Sequence, residues 1–261
     1  MIARTLQPDV APPEFLQLAG HPLRWRLLSE LARSDRLVQE LASRVGEAQN
    51  LVSYHLGKLR DGRLVNARRS AADRRDTYYG LDLGRVGSLL SAAGGALHPG
   101  LRLAPPQRDD ALVGARVLFL CTGNSARSPM AEALARALSG GAIEAFSAGS
   151  HPRPLHPNAI RVMREDHGLD IAGHAPRSLD LFADQRFDWV ISLCDRVREV
   201  CPELPGHPET VHWSLPNPVT GEPDDVTWPL FRQTAAELST RIGFLIAAMA
   251  DRTPATLKET P

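Results

Sequence analysis

Apolar positions change their spacing along this chain near residue 110. In LVQELASRVG (residues 37–46) they fall at 37, 38, 41 and 45, the spacing of a helix with one buried face. Ser34 or Asp35 stands where an N-cap is expected, and Gly46 is a stop signal. NLVSYHLGKLRDG (50–62) predicts a second helix with Leu51, Val52, Leu56 and Leu59 inward. Two short helices joined by a tight turn make a helix-turn-helix. RLVNARRSAADRRDTYYGLDL follows, two strand-like runs around a basic tip of Arg68, Arg69, Arg74 and Arg75, which is the pattern of a wing. Beyond it the rhythm differs. Short apolar runs of buried-strand type, ARVLFL (115–120) and FDWVISLC (187–194), alternate with helical stretches such as SPMAEALARALSG (128–140). A last amphipathic run, LFRQTAAELSTRIGFLIAAM (230–249), is expected to cover the sheet.

The two patterns are separated by GGALHPGLRLAPPQRDD (94–110), a Gly- and Pro-rich stretch ending in charge. This predicts a first domain over 1–93, a linker over 94–112 and a second domain over 113–261. Charge sharpens the division. The net charge is zero, yet residues 1–108 hold 16 Lys and Arg against 10 Asp and Glu, and the rest hold 14 against 20. A basic first module is a candidate for nucleic acid. No apolar run approaches the roughly 20 residues needed to span a bilayer, and MIARTLQPDV lacks the apolar core of a signal peptide. A cytoplasmic location and no membrane association are expected. Three cysteines, an odd number, argue against a static disulfide framework.

HPLRWRLLSEL (21–31), SYHLGKLRDGRLV (53–65) and the Tyr78-Tyr79 end of the wing resemble the ArsR-type winged-helix repressors. The resemblance covers about residues 12–90 and implies an α+β winged helix-turn-helix that dimerises outside the motif. It places the second motif helix in the major groove, with Gln49, Asn50, Ser53, Tyr54 and His55 nearest the base edges. Wing arginines Arg68, Arg69, Arg74 and Arg75 would contact phosphate. Some members sense arsenite through thiols on the first motif helix. Here that helix reads Leu37-Val38-Gln39-Glu40-Leu41, and the module has no cysteine, so it cannot capture arsenite by sulfur. No metal site is expected from its scattered histidines.

The chemistry is expected at VLFLCTGNSARSPM (117–130). A buried strand runs into Cys121, and in the helix that follows Ser128 is expected as the cap with Pro129 in the first turn. The loop between, Thr122, Gly123, Asn124, Ser125, Ala126 and Arg127, thus lies at a strand's carboxyl end and a helix N-terminus, where free N–H groups and the helix dipole gather anions. Arg127, in a C-x5-R spacing, adds a planar guanidinium suited to an oxyanion. These groups favour thiolate at Cys121. The loop is close to that of the low-molecular-weight protein tyrosine phosphatases and of arsenate reductases sharing their fold, an α/β three-layer domain with a four-stranded parallel sheet.

LC…CP (193–202) followed by His212-Trp213 resembles the thioredoxin-coupled members. In a parallel sheet the strand end carrying Cys194 shares a rim with Cys121. The resemblance implies arsenate as substrate, thioredoxin as external reductant and no permanently bound cofactor. Cys121 would attack arsenic, Cys194 would attack Cys121 as arsenite leaves, and Cys201 would attack Cys194. If the chain is helical from 194 to 201, seven residues at 1.5 Å rise set the two Cα atoms roughly 10 Å apart, whereas a disulfide needs about 4.4–6.8 Å. The segment must therefore unwind. One position departs from the family. Asn217-Pro218 stands where an Asp-Pro general acid is expected, and an amide cannot release a proton at neutral pH. Asp224 or Asp225 could substitute only if the loop folds back. Two further readings stay open: an oxyanion-sensing regulator with a weak or inactive reductase domain, and a phosphatase.

Overall fold

The computed structural model describes residues 12–98, 101, 114–200, 204–206 and 208–252. Helices α1 (Glu14–Ala19), α2 (Pro22–Leu31), α3 (Val38–Val45) and α4 (Gln49–Asp61) enclose a core centred on Leu27, Leu41, Val52, Leu56 and Leu59. The stripe that α4 buries is Val52, His55, Leu56 and Leu59, one face at i, i+3, i+4 and i+7. Leu51, expected inward, lies one position off that stripe and is exposed. Strands β1 (Arg36–Leu37), β2 (Val65–Arg69) and β3 (Thr77–Leu81) form an antiparallel sheet in the order β1-β3-β2, with Arg68 opposite Tyr78. The short β1 is an addition to the two strands read from sequence. Helix α5 (Leu83–Leu97) runs four residues into the stretch read as linker, so Gly94 and Gly95 are helical. Of residues 98–112, only His98 and Leu101 are described.

The second sheet is parallel in the order β5-β4-β6-β7, from β4 (Ala115–Cys121), β5 (Ile143–Gly149), β6 (Trp189–Ser192) and β7 (Glu209–His212). Val117 to Leu120 are fully buried, as expected of a central strand covered on both faces. The helices are α6 (Arg127–Leu138), α7 (Pro157–His167), α8 (Asp195–Val200) and α9 (Asp224–Arg252), of which α6, α7 and α9 pack on one another. Among the described residues no helix is long and apolar enough to cross a membrane.

Each sheet has its own apolar core, and a set of polar contacts crosses the seam between them. Ser34 and Asp35 do not cap α3. Leu37 occupies the N-cap position, and its amide donates to Glu40 Oε2 at 2.8 Å. Ser34 and Asp35 face the second domain instead. The Asp35 amide donates to the His212 carbonyl (2.8 Å), the His212 amide to Ser34 Oγ (2.9 Å) and the Ser214 amide to Asp35 Oδ2 (2.8 Å). Arg241 of α9 pairs with Asp35 at 2.9 Å. Gly80 makes room for that pair, since a Cβ there would lie 2.5 Å from Asp35 Oδ1.

Candidate active site

Cys121 closes β4 and is 2% exposed. Its loop must turn tightly into α6, and Asn124 takes a left-handed φ of 44° to do so. Asn124 is held in that conformation from every side. Its Nδ2 donates to Ser128 Oγ (3.0 Å) and Ser147 Oγ (2.8 Å), and its Oδ1 accepts from the Arg177 amide (2.8 Å). Behind it Ser147 donates to Glu132 Oε2 at 2.6 Å, and Glu132 is ion-paired with Arg177 and with Arg136 (2.7 Å). Gly149 of β5 lets the loop approach, because a Cβ there would lie 2.7 Å from both the Asn124 amide and the Thr122 carbonyl. The sequence reading missed this whole second layer, whose members are spread over about 50 positions.

The loop's carbonyls point outward and are satisfied. Thr122, Gly123 and Ser125 accept from the amides of His151 (2.8 Å), Arg153 (2.9 Å) and His156 (2.8 Å). The Pro-rich segment HPRPLHPN (151–158) is thus a brace for the loop. With carbonyls turned outward, the amides of Gly123, Asn124, Ser125 and Ala126 donate to no acceptor among the described residues. A nest of free N–H groups beside a helix N-terminus is an anion receptor.

Ser128 is not the helix cap. The helix begins at Arg127, and Ser128 Oγ lies 3.0 Å from Cys121 Sγ, where its hydroxyl can donate to a thiolate. Arg127 is buried. Its Nη1 donates to the carbonyls of Leu193 (3.2 Å) and Leu215 (3.0 Å), and its Nη2 to Asn217 Oδ1 (3.4 Å). Among the described residues it has no carboxylate partner. A buried guanidinium fixed by neutral groups keeps its charge available to an anion.

Cys194 follows β6 by two residues, and β6 is the neighbour of β4 with Leu120 opposite Ser192. Its Sγ stands 3.3 Å from Thr122 Oγ1. Cys121, Thr122, Arg127, Cys194 and Asn217 line one cavity of about 260 Å³. Cys201 lies outside the described residues. Asn217 is committed on both sides, since its Nδ2 donates to the Val219 carbonyl at 2.6 Å. Neither Asp224 nor Asp225 lines this cavity. Asp224 begins α9, accepts from Asn158 Nδ2 at 2.6 Å and pairs with Arg161, so it does not fold back as a substitute acid.

Residues 116–255 match the model of the low molecular weight phosphotyrosine protein phosphatases. The chain belongs to that family. Residues 21–67 of this phosphatase-family chain match the model of the bacterial arsR-family regulatory proteins, and its first domain is an ArsR-type helix-turn-helix. The chain is similar to an arsenate reductase of Halalkalibacterium halodurans, 37% identical over 127 residues, which cover 48% of this chain and 91% of the relative. It is likewise similar to an arsenate reductase of Brevibacillus brevis, 38% identical over 126 residues, covering 48% and 90%. A solved arsenate reductase in its phosphate-binding state is 33% identical, with a TM-score of 0.43, and covers 52% of this chain and 98% of its own.

The nucleic-acid face read from sequence divides in two. Gln49, Asn50, Ser53 and Tyr54 of α4 are exposed. His55 is not with them. It falls on the buried stripe against His21, ring centroids 4.5 Å apart, where burial pushes its imidazole below the usual histidine range. In the wing, Arg69, Arg74 and Arg75 are exposed, and Arg75 pairs with Asp73 at 2.7 Å. Arg68 is turned inward. It pairs with Asp195 of the second domain at 2.7 Å and donates to the Ser214 carbonyl at 2.7 Å.

Proposed function

We propose that this protein reduces arsenate to arsenite at Cys121, with the electrons delivered through Cys194 and Cys201 from thioredoxin, and that its winged-helix domain dimerises and binds DNA. The observation carrying the first part is the shared cavity. It brings two reduced thiols, the Arg127 guanidinium with no carboxylate partner among the described residues, and a nest of amides to one strand rim. A phosphatase needs one of those thiols. A reductase needs two, because converting As(V) to As(III) consumes two electrons.

In this reading arsenate enters as the oxyanion that Arg127 and the loop amides recognise. The Cys121 thiolate forms an S–As bond, and an arsenic-bound oxygen leaves as water after protonation. The Cys194 thiolate then attacks Cys121 Sγ. The S–As bond breaks with its electron pair passing to arsenic, arsenite departs and a Cys121–Cys194 disulfide remains. Attack by Cys201 on Cys194 restores the Cys121 thiolate and leaves a Cys194–Cys201 disulfide, which thioredoxin reduces with two electrons. Helix α8 occupies the six positions between Cys194 and Cys201, so this step requires it to unwind.

Asn217 favours a second reading, an oxyanion sensor with a slow reductase. With its amide bonded to Arg127 and Val219, this residue orders the receptor and supplies no proton. The two readings differ in turnover. With arsenate, thioredoxin, thioredoxin reductase and NADPH, the reductase reading requires sustained NADPH oxidation that Cys121→Ser, Cys194→Ser and Cys201→Ser each abolish. Thioredoxin-dependent turnover that persists in Cys201→Ser would contradict the relay.

A further inference from the structure

The wing is built into the wall of this cavity. Ala71, at the turn between β2 and β3, lines it beside Cys194 and Arg196. The attachment is concentrated on Asp195, the residue after Cys194. Its carboxylate, 1% exposed, accepts from Arg68 Nη2 on both oxygens (2.9 and 2.7 Å), from the Ala71 amide (2.7 Å), from Ser214 Oγ (2.7 Å) and from His212 Nε2 (3.2 Å). Around this centre Arg196 Nε donates to the Ala71 carbonyl (3.4 Å). Arg198 donates to Tyr78 Oη (3.0 Å) and pairs with Glu40. Tyr78 in turn lies 4.8 Å from the His212 ring.

We propose that the wing is an intramolecular switch in which Asp195 competes with DNA phosphate for Arg68. Docked, the wing walls the Cys121 cavity and withholds Arg68 from nucleic acid. Undocked, it offers duplex DNA one more cation and leaves the cavity open on that side. Arg68 has a single guanidinium, its Nη2 spanning both Asp195 oxygens and its Nε on the Ser214 carbonyl. Its Nη1 donates to the Arg69 carbonyl (3.0 Å), so a two-pronged contact with a backbone phosphate requires the Asp195 pair to open. Reciprocity then links the two domains. Whatever stabilises the docked wing weakens DNA binding, and DNA weakens docking by the same factor. The docked wall also restricts what enters. On this proposal, removing the Ala71 wall favours a bulky aryl phosphomonoester more than a free oxyanion, which is the smaller ligand.

This inference rests on the oxyanion-site and DNA-binding readings but not on arsenate reduction, so its test uses neither arsenate nor thioredoxin. The full chain and Asp195→Asn are titrated with a fluorescent random-sequence duplex over a range of salt concentrations. The variant is expected to bind several-fold more tightly, with a log–log salt slope steeper by about 0.9, the increment for one added phosphate contact. In the same variant, p-nitrophenyl phosphate is expected to displace inorganic phosphate at least tenfold more effectively, with inorganic phosphate affinity itself within about twofold of the parent. Equal DNA affinity and slope in a folded variant would overturn the switch, as would the absence of duplex binding at low salt by either protein. Should Asp195→Asn fail to fold, hydrogen exchange on the parent decides. Faster exchange of the Ala71 amide with saturating duplex supports the proposal, and unchanged protection refutes it.

Discussion

Arg127 and Arg68 are both cations that the sequence pattern assigns to anions, and the fold treats them differently. Arg127 is buried and anchored by two carbonyls and one amide oxygen, so its charge is uncompensated among the described residues. Arg68 is partly buried and meets a carboxylate. The first arrangement suits a ligand that arrives and leaves. The second closes on itself and becomes structure. Desolvating a guanidinium is costly in either case, and the neighbour that offsets the cost decides whether the residue recognises something or holds something. Exposure alone does not separate the two roles; the charge of the nearest partner does.

The largest expected effect falls on the loop. Cys121→Ser should lose all arsenate-dependent turnover, and Arg127→Lys should lose about 10²–10³-fold in kcat/KM, because a point charge replaces the fork aimed at the oxyanion. Thermal melting of both should stay close to the parent. Arg68→Ala should show the reverse, keeping turnover within a fewfold while losing about 1–3 kcal/mol in denaturant unfolding, since it strips a partner from the buried Asp195. A large loss of turnover with unchanged stability in Arg68→Ala would erase the contrast between the two arginines.

Asn217→Asp sharpens the Arg127 side. Restoring a general acid contributes about 10²–10⁴-fold, so pre-steady-state arsenite formation should rise about 10²-fold and acquire a basic limb in its pH profile. An unchanged chemical step would remove Asn217 from the account. Gly149→Ala disturbs the loop without touching either arginine. A Cβ 2.7 Å from the Asn124 amide must push the loop away, at a cost of about 1–3 kcal/mol and with weakened inorganic phosphate binding by calorimetry.

The smallest effect is in pH. Burial pushes the Asp195 carboxyl up, but hydrogen bonds from His212, the Ala71 amide, Ser214 and Arg68 outweigh it and hold the group well below the usual carboxylate range. A carboxyl depressed in the folded state contributes stability that is present above its unfolded value, about 3.9, and lost as pH falls through the folded one. The stability difference between parent and Asp195→Asn should therefore be flat from about pH 5 to 8 and shrink only below about pH 4. A change centred near pH 6 would point to a histidine instead.

What was legible in the sequence was local. Cys121 to Arg127 is one strand end, one turn and one helix start, so spacing alone assembles it. The helix-turn-helix and the wing strands follow from apolar periodicity for the same reason. Leu51 and His55 were misplaced because the buried stripe of α4 admits a histidine where a purely apolar count does not. The polar contacts across the seam were invisible. Arg68 and Asp195 are 127 positions apart, and nothing in either neighbourhood announces the other. Ser34 and Asp35 carried a misleading signal, since residues that cap helices also serve as acceptors across a domain boundary. The brace from His151 to His156 contributes mainly backbone amides, which leave almost no trace in side-chain identity.

The central claim is that Cys121 passes an oxidation from arsenate to two further sulfurs. It is tested most directly in a single turnover, with fully reduced protein mixed with one equivalent of arsenate and no thioredoxin. The account predicts one arsenite per chain, the loss of two of the three free thiols, and a Cys194–Cys201 disulfide by peptide mapping. Arsenate bound with all three thiols still titratable and no arsenite formed would contradict it.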